Sequence, residues 1–310
     1  MSAASFDLLV LGELNADVVV TGDDIEPAFG QVERIADGAT LTLGASGAIL
    51  ACGAARLGLR VGYVGMVGDD PAGRFVLDAL AARGVDTGAC RVHPSLPTGL
   101  SVILSRPHDR AIITALGTIE ALRAADVPAE ALERARHVHV ASLYLQHGLR
   151  PGVPELFAAA RRRGATTSVD TNWDPSDRWD GLGATLAETD VFMPNAAEAR
   201  RIAGVDEVAA ALDALAARVP TVAIKLGADG AIARRGGESA RAAAPAADVV
   251  DTTGAGDSFG AGMLTGLLAG RPLGEALRLA VACGTLSTRA AGGTAAQPTL
   301  DEALAAAGAP

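Results

Sequence analysis

Seven residues near the C-terminal end, Asp251-Thr252-Thr253-Gly254-Ala255-Gly256-Asp257, place two carboxylates around a run of small side chains. Gly254, Ala255 and Gly256 leave the backbone uncovered. The N–H groups opening a helix from residue 258 to about 268 can therefore close on an anion and meet it with the positive end of the helix dipole. Such an anion hole suits a transferring phosphate. Asp257 sits beside it, where bound phosphate would repel a carboxylate that had no task. The task that fits is removal of a proton from an attacking hydroxyl, which makes Asp257 the candidate catalytic base. The simpler reading is a helix N-cap, with Asp251 ending a preceding strand. A dinucleotide loop of the G-x-G-x-x-G type is disfavoured, because the third glycine falls one place late, at Gly260, and the motif does not follow a first strand.

The rest of the chain narrows the chemistry. Lys225 is the only lysine among 310 residues and stands between Ile224 and Leu226, so the G-K-[ST] of a P-loop is absent. Val222-Ala223-Ile224-Lys225 imitates the lysine strand of protein kinases but comes far too late in the chain. A net charge of −10 gives no basic footprint for nucleic acid. Three cysteines, Cys52, Cys90 and Cys283, lack C-x-x-C spacing, which points away from disulfides and zinc and towards a reducing cytoplasm. The apolar run 8–11 is flanked by Asp7 and Glu13, and other apolar runs break before about 18 residues, so neither a signal peptide nor a membrane span is expected.

With 49% hydrophobic residues the chain can bury a large core, and short apolar runs alternate with alanine-rich helical stretches, as in an α/β protein of one domain over 1–310. Strands are predicted over 6–11 and 61–67, and helices over 44–57 and from Asp70-Pro71 to residue 84, where Asp caps and Pro takes the first helical position. Two alternating strands, 99–105 and 111–116, flank Arg106-Pro107-His108-Asp109-Arg110 and read as a hairpin outside the main sheet. Segments 16–43 and 90–116 would together make a small β lid. Its free strand edges would seek a second copy of the chain, giving a homodimer through the lid. After residue 132 the alternation resumes with strands at 137–141, 166–170, 191–193 and 221–226, which predicts parallel strands with helices on both faces. Strand ends at Asp170, Asn195, Gly227 and Asp251 would converge on one edge of the sheet, where open α/β folds bind ligands. His137 and His139 read as core positions rather than metal ligands.

The D-T-x-G-A-G-D pattern resembles the signature of the ribokinase-like, PfkB-type carbohydrate kinases, and the similarity runs from Leu8 to about Leu300. The resemblance implies a three-layer α/β/α sandwich with a mostly parallel central sheet and a small β lid that closes over a sugar. It implies transfer of the γ-phosphoryl group of ATP, with Mg²⁺, to a primary hydroxyl. Asn15 and Asp17 would hold adjacent hydroxyls of the sugar, and Asp170 and Asn172 would line the same pocket. Asn195 and Glu198 match an N-x-x-E element linked to Mg²⁺ through water. Lys225, Gly227 and Gly230, with Thr252, resemble the nucleotide-binding segment. Asp251 and Thr253, near the small-residue stretch 287–293, would border a monovalent cation such as K⁺. Gly44, Ser46 and Gly47 lie in the substrate loop. Ribokinases have G-G-K-G-A-N there, whereas this chain has Ala45, Ser46 and Ile49 in place of the second Gly, the Lys and the Asn, so the resemblance does not carry ribose over as the acceptor. A nucleoside kinase of the same fold, or a sugar- and nucleotide-binding sensor without turnover, are the alternatives.

Overall fold

The computed structural model describes residues 5–106 and 109–308. Strand β1 (Leu8–Leu11) is buried on both faces, with Leu8 and Val10 in one apolar core and Leu9 and Leu11 in the other. Two-sided burial is what a central parallel strand requires. The chain continues through β2 (Asn15–Thr21), β3 (Gly38–Leu43), α1 (Ser46–Arg56), β4 (Val61–Val64), β5 (Met66–Gly68), α2 (Pro71–Ala81), β6 (Val85–Asp86) and β7 (Arg91–His93) to the hairpin strands β8 (Gly99–Arg106) and β9 (Asp109–Ala115). Then come α3 (Ala129–Glu133), β10 (His137–Val140), α4 (Val153–Arg162), β11 (Thr166–Val169), α5 (Gly183–Ala187), β12 (Val191–Phe192), α6 (Ala196–Ala203) and α7 (Val208–Ala216). The last elements are β13 (Thr221–Lys225), β14 (Ala231–Arg235), β15 (Glu238–Ala242), α8 (Ala255–Leu268), α9 (Leu273–Ser287) and α10 (Leu300–Ala306).

Nine strands form the main sheet in the order β15-β14-β13-β12-β11-β10-β1-β4-β6. It is parallel from β13 to β6 and antiparallel only at the β13-β14 and β14-β15 pairs. Helices α1, α2, α8, α9 and α10 cover one face and α3 to α7 the other, each layer closing its own core. This is the predicted three-layer α/β/α sandwich. No helix among the described residues is long and apolar enough to cross a membrane.

A second sheet of four strands, in the order β3-β2-β8-β9, stands apart from the first and contains the predicted hairpin. Pro107 and His108 of the hairpin turn lie outside the described residues. Part of the 90–116 segment goes elsewhere, since β7 pairs with β5. The single strand predicted over 61–67 is split for the same reason. Gly65 gives its carbonyl to the Arg91 N–H at 2.9 Å, so beyond Val64 the backbone hydrogen bonds run to β7 rather than to the main sheet. Asp70 caps α2 through the Gly73 N–H at 2.8 Å and also accepts the Thr98 N–H and hydroxyl, each at 2.7 Å, which ties the entry of β8 to the body of the protein.

Candidate active site

Contrary to the expectation from the sequence, the Asp251 to Asp257 motif does not follow a strand. Strand β15 runs antiparallel to β14 and ends at Ala242, and residues 243–254 carry no strand, so Asp251 is not at a strand end. The helix begins earlier than predicted, at Ala255, because Gly254 at φ 72° turns the chain straight into it. No side chain caps α8. Ala255 and Ser258 donate to the Thr252 and Gly254 carbonyls, which leaves the first-turn N–H groups of Gly256 and Asp257 for an anion. Asp257 thus lies inside the first turn, beside these amides. Its Oδ1 accepts the Ser46 hydroxyl. Desolvation pushes its pKa up to about 7 against the Ser46 hydrogen bond, and the nearby Asp170 charge adds to the rise. A carboxyl poised near neutrality suits a proton acceptor.

Lys225 ends β13, and its Nζ lies 2.8 Å from Asp170 Oδ2. Burial disfavours both charges, yet their mutual attraction holds Asp170 below its ordinary range and Lys225 above. Asp170 therefore anchors the lysine, a role that its position in the sequence did not disclose. A Cβ on Gly256 would lie 3.3 Å from Nζ, so the ammonium stands beside the first turn of α8. Glu198, next to this pair, has its pKa raised by burial and then by Asp170. Asn195 and Glu198 form a reciprocal capping box on α6: Asn195 Oδ1 accepts the Glu198 N–H at 2.9 Å, and Glu198 Oε2 accepts the Asn195 N–H at 2.8 Å. The other Glu198 oxygen stays outside that box. Among the described residues, no group of three or more His, Cys, Asp or Glu side chains is arranged to hold a metal ion. His137 and His139 are buried and hydrogen-bonded to Thr166 and Ser168.

Ser46 links Asp257 to a second group of polar residues. Asn15 and Asp17 are buried on β2, and Asn15 Nδ2 donates to Asp17 Oδ1 at 2.7 Å and to Ser101 Oγ at 3.4 Å. Ser101 on β8 meets Thr114 on β9 at 3.0 Å. Burial pushes the Asp17 pKa up to about 6, although Ser101 and Asn15 donate to it. A Cβ on Gly44 would fall 2.2 Å from Asp17 Oδ1 and 2.3 Å from Asn15 Nδ2, so only glycine lets the loop after β3 approach this pair. Ser46 and Gly47 open α1 directly behind it. Asn172 reaches the same group, donating through Nδ2 to Ser142 Oγ at 2.7 Å, and Ser142 donates to Glu13 at 2.6 Å. Glu13, Ser101 and Ser142 were not singled out from the sequence. Glu13 could have been noticed as the lone charge directly after the first apolar strand, and Ser101 as an inward position of an alternating strand. Nothing in the sequence marks Ser142.

The expected nucleotide residues Lys225, Gly227, Gly230 and Thr252 line one cavity of about 510 Å³ together with Ala255 and Gly256 at the start of α8. Another cavity, of about 560 Å³, lies at the opposite ends of the strands, around His137, Thr166 and Thr221, and contains none of the candidate residues. Asp251 Oδ1 accepts the Thr253 N–H at 2.9 Å and hydroxyl at 2.8 Å, and Oδ2 accepts the Gly292 N–H at 2.8 Å. Burial would raise the Asp251 pKa, but these bonds and Arg110 hold it below its ordinary range. Arg110 comes from β9 and donates to Thr253 Oγ1 at 2.9 Å, so the four-stranded sheet touches the Asp251 to Asp257 motif.

Residues 5–300 match the family described as pfkB family carbohydrate kinase. The chain is 34% identical over 312 residues to a fructokinase of Klebsiella pneumoniae, an alignment covering 93% of this chain and 98% of the other. It is 31% identical over 269 residues to a 2-dehydro-3-deoxygluconokinase of Bacillus subtilis, covering 82% of each. Among solved structures, an Arabidopsis thaliana ribokinase complexed with ribose and ATP superposes with a TM-score of 0.83 at 25% identity, over 98% of this chain and 99% of that one. With the family matched over nearly its whole length and the same fold seen in a solved sugar kinase, this chain belongs to the pfkB family of carbohydrate kinases.

Proposed function

We propose that this carbohydrate kinase transfers the γ-phosphoryl group of ATP to a primary hydroxyl of a neutral sugar or sugar derivative, with Asp257 as the base. The observation that carries this reading is the place of Asp257. It lies in the first turn of α8, beside the cavity that holds Lys225, Gly227, Gly230 and Thr252, and joins through Ser46 to the polar group around Asn15 and Asp17. The acceptor hydroxyl gives its proton to Asp257 as its oxygen bonds to the γ-phosphorus. The bond from that phosphorus to the bridging oxygen breaks, and ADP leaves with the electron pair. The Gly256 and Asp257 amides and the Lys225 ammonium stabilise charge on the phosphoryl oxygens. Mg²⁺ would supply further neutralisation of the phosphates, and Glu198, with one oxygen outside its capping box, is the residue suited to hold it through water.

The four-stranded sheet acts in this reading as a lid that excludes water and limits ATP hydrolysis, with the Arg110 contact to Thr253 at its rim. Charge favours a neutral acceptor. Among the described residues, Glu13, Asp17, Asp170 and Asp257 outnumber the cations beside them, since Lys225 is paired with Asp170 and Arg110 lies against Thr253. A carboxylated or phosphorylated acceptor would add repulsion there. The fructokinase relative agrees with this choice, whereas the 2-dehydro-3-deoxygluconokinase relative is named for a carboxylated acceptor, which is why that compound belongs in the panel below.

Release of ADP from MgATP tests the reading against fructose, ribose, 2-dehydro-3-deoxygluconate, fructose phosphates and nucleosides. Turnover on nucleosides alone would favour a nucleoside kinase, and ATP binding without turnover on any acceptor would favour a sensor. Arms in K⁺ and Na⁺ examine Asp251 and Thr253, where a cation would share a carboxylate that already accepts three hydrogen bonds. The pH profile is a separate check. The deprotonated carboxylate is the active form and its pKa is pushed up to about 7, so kcat/KM is expected to rise with pH through about 7 and level off above it. A flat profile between about pH 5.5 and 8.5 would remove Asp257 as the base.

We also propose a homodimer through the lid. Strand β9 is exposed along its length, and Leu41, Ile112 and Ile113 are 51%, 53% and 64% exposed on the same sheet, a surface that a second copy would cover. Light scattering is expected to give twice the 31.1 kDa chain mass, and a monomer at micromolar concentration would exclude this contact. The three cysteines are free, which supports a reducing, cytoplasmic setting.

A further inference from the structure

Glu13 follows β1 and is 3% exposed, and no cation lies within ion-pairing distance of it among the described residues. A carboxylate in such a place is uncommon unless its hydrogen bonds hold something in position. Its Oε1 accepts the Ser46 N–H at 2.8 Å and the Ser142 hydroxyl at 2.6 Å, while Oε2 is buried without a partner. Its carbonyl accepts the Tyr63 hydroxyl at 2.7 Å. Burial pushes the Glu13 pKa up against hydrogen bonds from Ser142 and from backbone N–H groups, so holding a glutamate here costs desolvation that packing alone does not explain.

Three loops meet at this residue, and each contains a non-glycine residue with left-handed backbone: Ala45 at φ 65°, Ser142 at φ 46° and Asn172 at φ 50°. Such conformations persist only where surrounding contacts hold them, and they gather at functional sites. Here the contacts run through Glu13. It binds Ser46 next to Ala45, it binds Ser142 directly, and Ser142 in turn accepts from Asn172 at 2.7 Å. Both ends of this chain of hydrogen bonds reach the reacting groups. The Asn172 N–H donates to Asp170 Oδ1 at 3.0 Å and Asp170 holds Lys225, while the Ser46 hydroxyl donates to Asp257.

We propose that Glu13 is a positioning residue: its buried carboxylate ties together the loops after β3, β10 and β11 and, through Ser46, sets Asp257 against the acceptor hydroxyl. The proposal rests on Asp257 being the base, so Asp257→Asn is measured beside it. The test compares Glu13→Ala, Glu13→Gln, Ser46→Ala and the double variant Glu13→Ala/Ser46→Ala by kcat, with fructose or whichever acceptor of the panel turns over, and by ATP Kd. Glu13→Ala is expected to lower kcat about 100-fold, the loss that a displaced reacting group produces, with ATP Kd unchanged. Glu13→Gln, whose amide oxygen can still accept the Ser46 N–H, is expected to recover most of that loss. The double variant should be no slower than the slower single one, because Glu13 reaches Asp257 through the Ser46 hydroxyl and the two losses lie in series.

Wild-type kcat in Glu13→Ala, or single losses that multiply in the double variant, would overturn the proposal. If Glu13→Ala does not fold, Glu13→Asp decides it: the carboxylate is one methylene short, so kcat should fall with ATP Kd unchanged, and wild-type kcat would refute the role. Wild-type turnover in Asp257→Asn removes the base and the role of Glu13 with it. An inactive Asp257→Asn beside a fully active Glu13→Ala removes Glu13 alone.

Discussion

Asp257→Asn is expected to lower kcat by about 10³-fold, within the range that a positioned base contributes, while ATP still binds. The substitution keeps the shape of the side chain, and the amide oxygen can accept the Ser46 hydroxyl as Oδ1 does now, so the surrounding loops have no cause to move. What is lost is the lone pair that takes the proton. Removal of a negative charge beside the anion hole should hold or slightly strengthen ATP binding, which separates a chemical defect from a structural one. A coupled ADP assay and calorimetric titration with ATP measure the two effects. A variant that kept more than about a tenth of wild-type kcat would place the base elsewhere, because a mere orienting residue gives losses of that smaller size.

The second large effect is expected from Gly254→Ala. Gly254 sits at φ 72°, a region that L side chains rarely adopt, and a Cβ there would lie 2.7 Å from Gly293 Cα and 2.9 Å from Ile49 Cγ2. The closest of these neighbours is backbone, which cannot rotate away. The first turn of α8 must therefore shift, and with it the Gly256 and Asp257 amides and the Asp257 carboxylate. Loss of one such donor lowers turnover by about 10²- to 10³-fold in comparable sites, and kcat is expected to fall by at least about 10²-fold with a rise in KM for ATP. Near-normal kinetics in a folded Gly254→Ala protein would show that the amides of this turn do not bind the transferring group.

The motif around Asp257 is legible in the sequence because its chemistry is local. Small residues, an amide-rich helix start and a carboxylate lie within seven consecutive positions, and backbone geometry alone suits them to the anion hole and base proposed above. The alternation of buried strands and helices is legible for a similar reason, since a parallel strand such as Leu8–Leu11 must be apolar on both faces. Boundaries are less accurate where tertiary pairing overrides local pattern. Residues 61–67 look like one strand, yet Gly65 turns its carbonyl to Arg91 and the strand divides. The strand expected before Asp251 is absent because β15 runs antiparallel and leaves the chain a long irregular return to α8.

Residue types and their spacing thus determined the α/β class and the signature of the carbohydrate kinase family, both of which depend on neighbours in the chain. Only the tertiary structure decided which carboxylates stand free and which are engaged. Asp170 gives no sign in the sequence of Lys225, 55 positions away and found at 2.8 Å, and Glu13 reads as a loop residue until Ser46 and Ser142 arrive from 33 and 129 positions away. Strand order sets these partnerships by placing β1 between β10 and β4, and strand order arises from long-range packing of whole elements, which no local period in the sequence encodes.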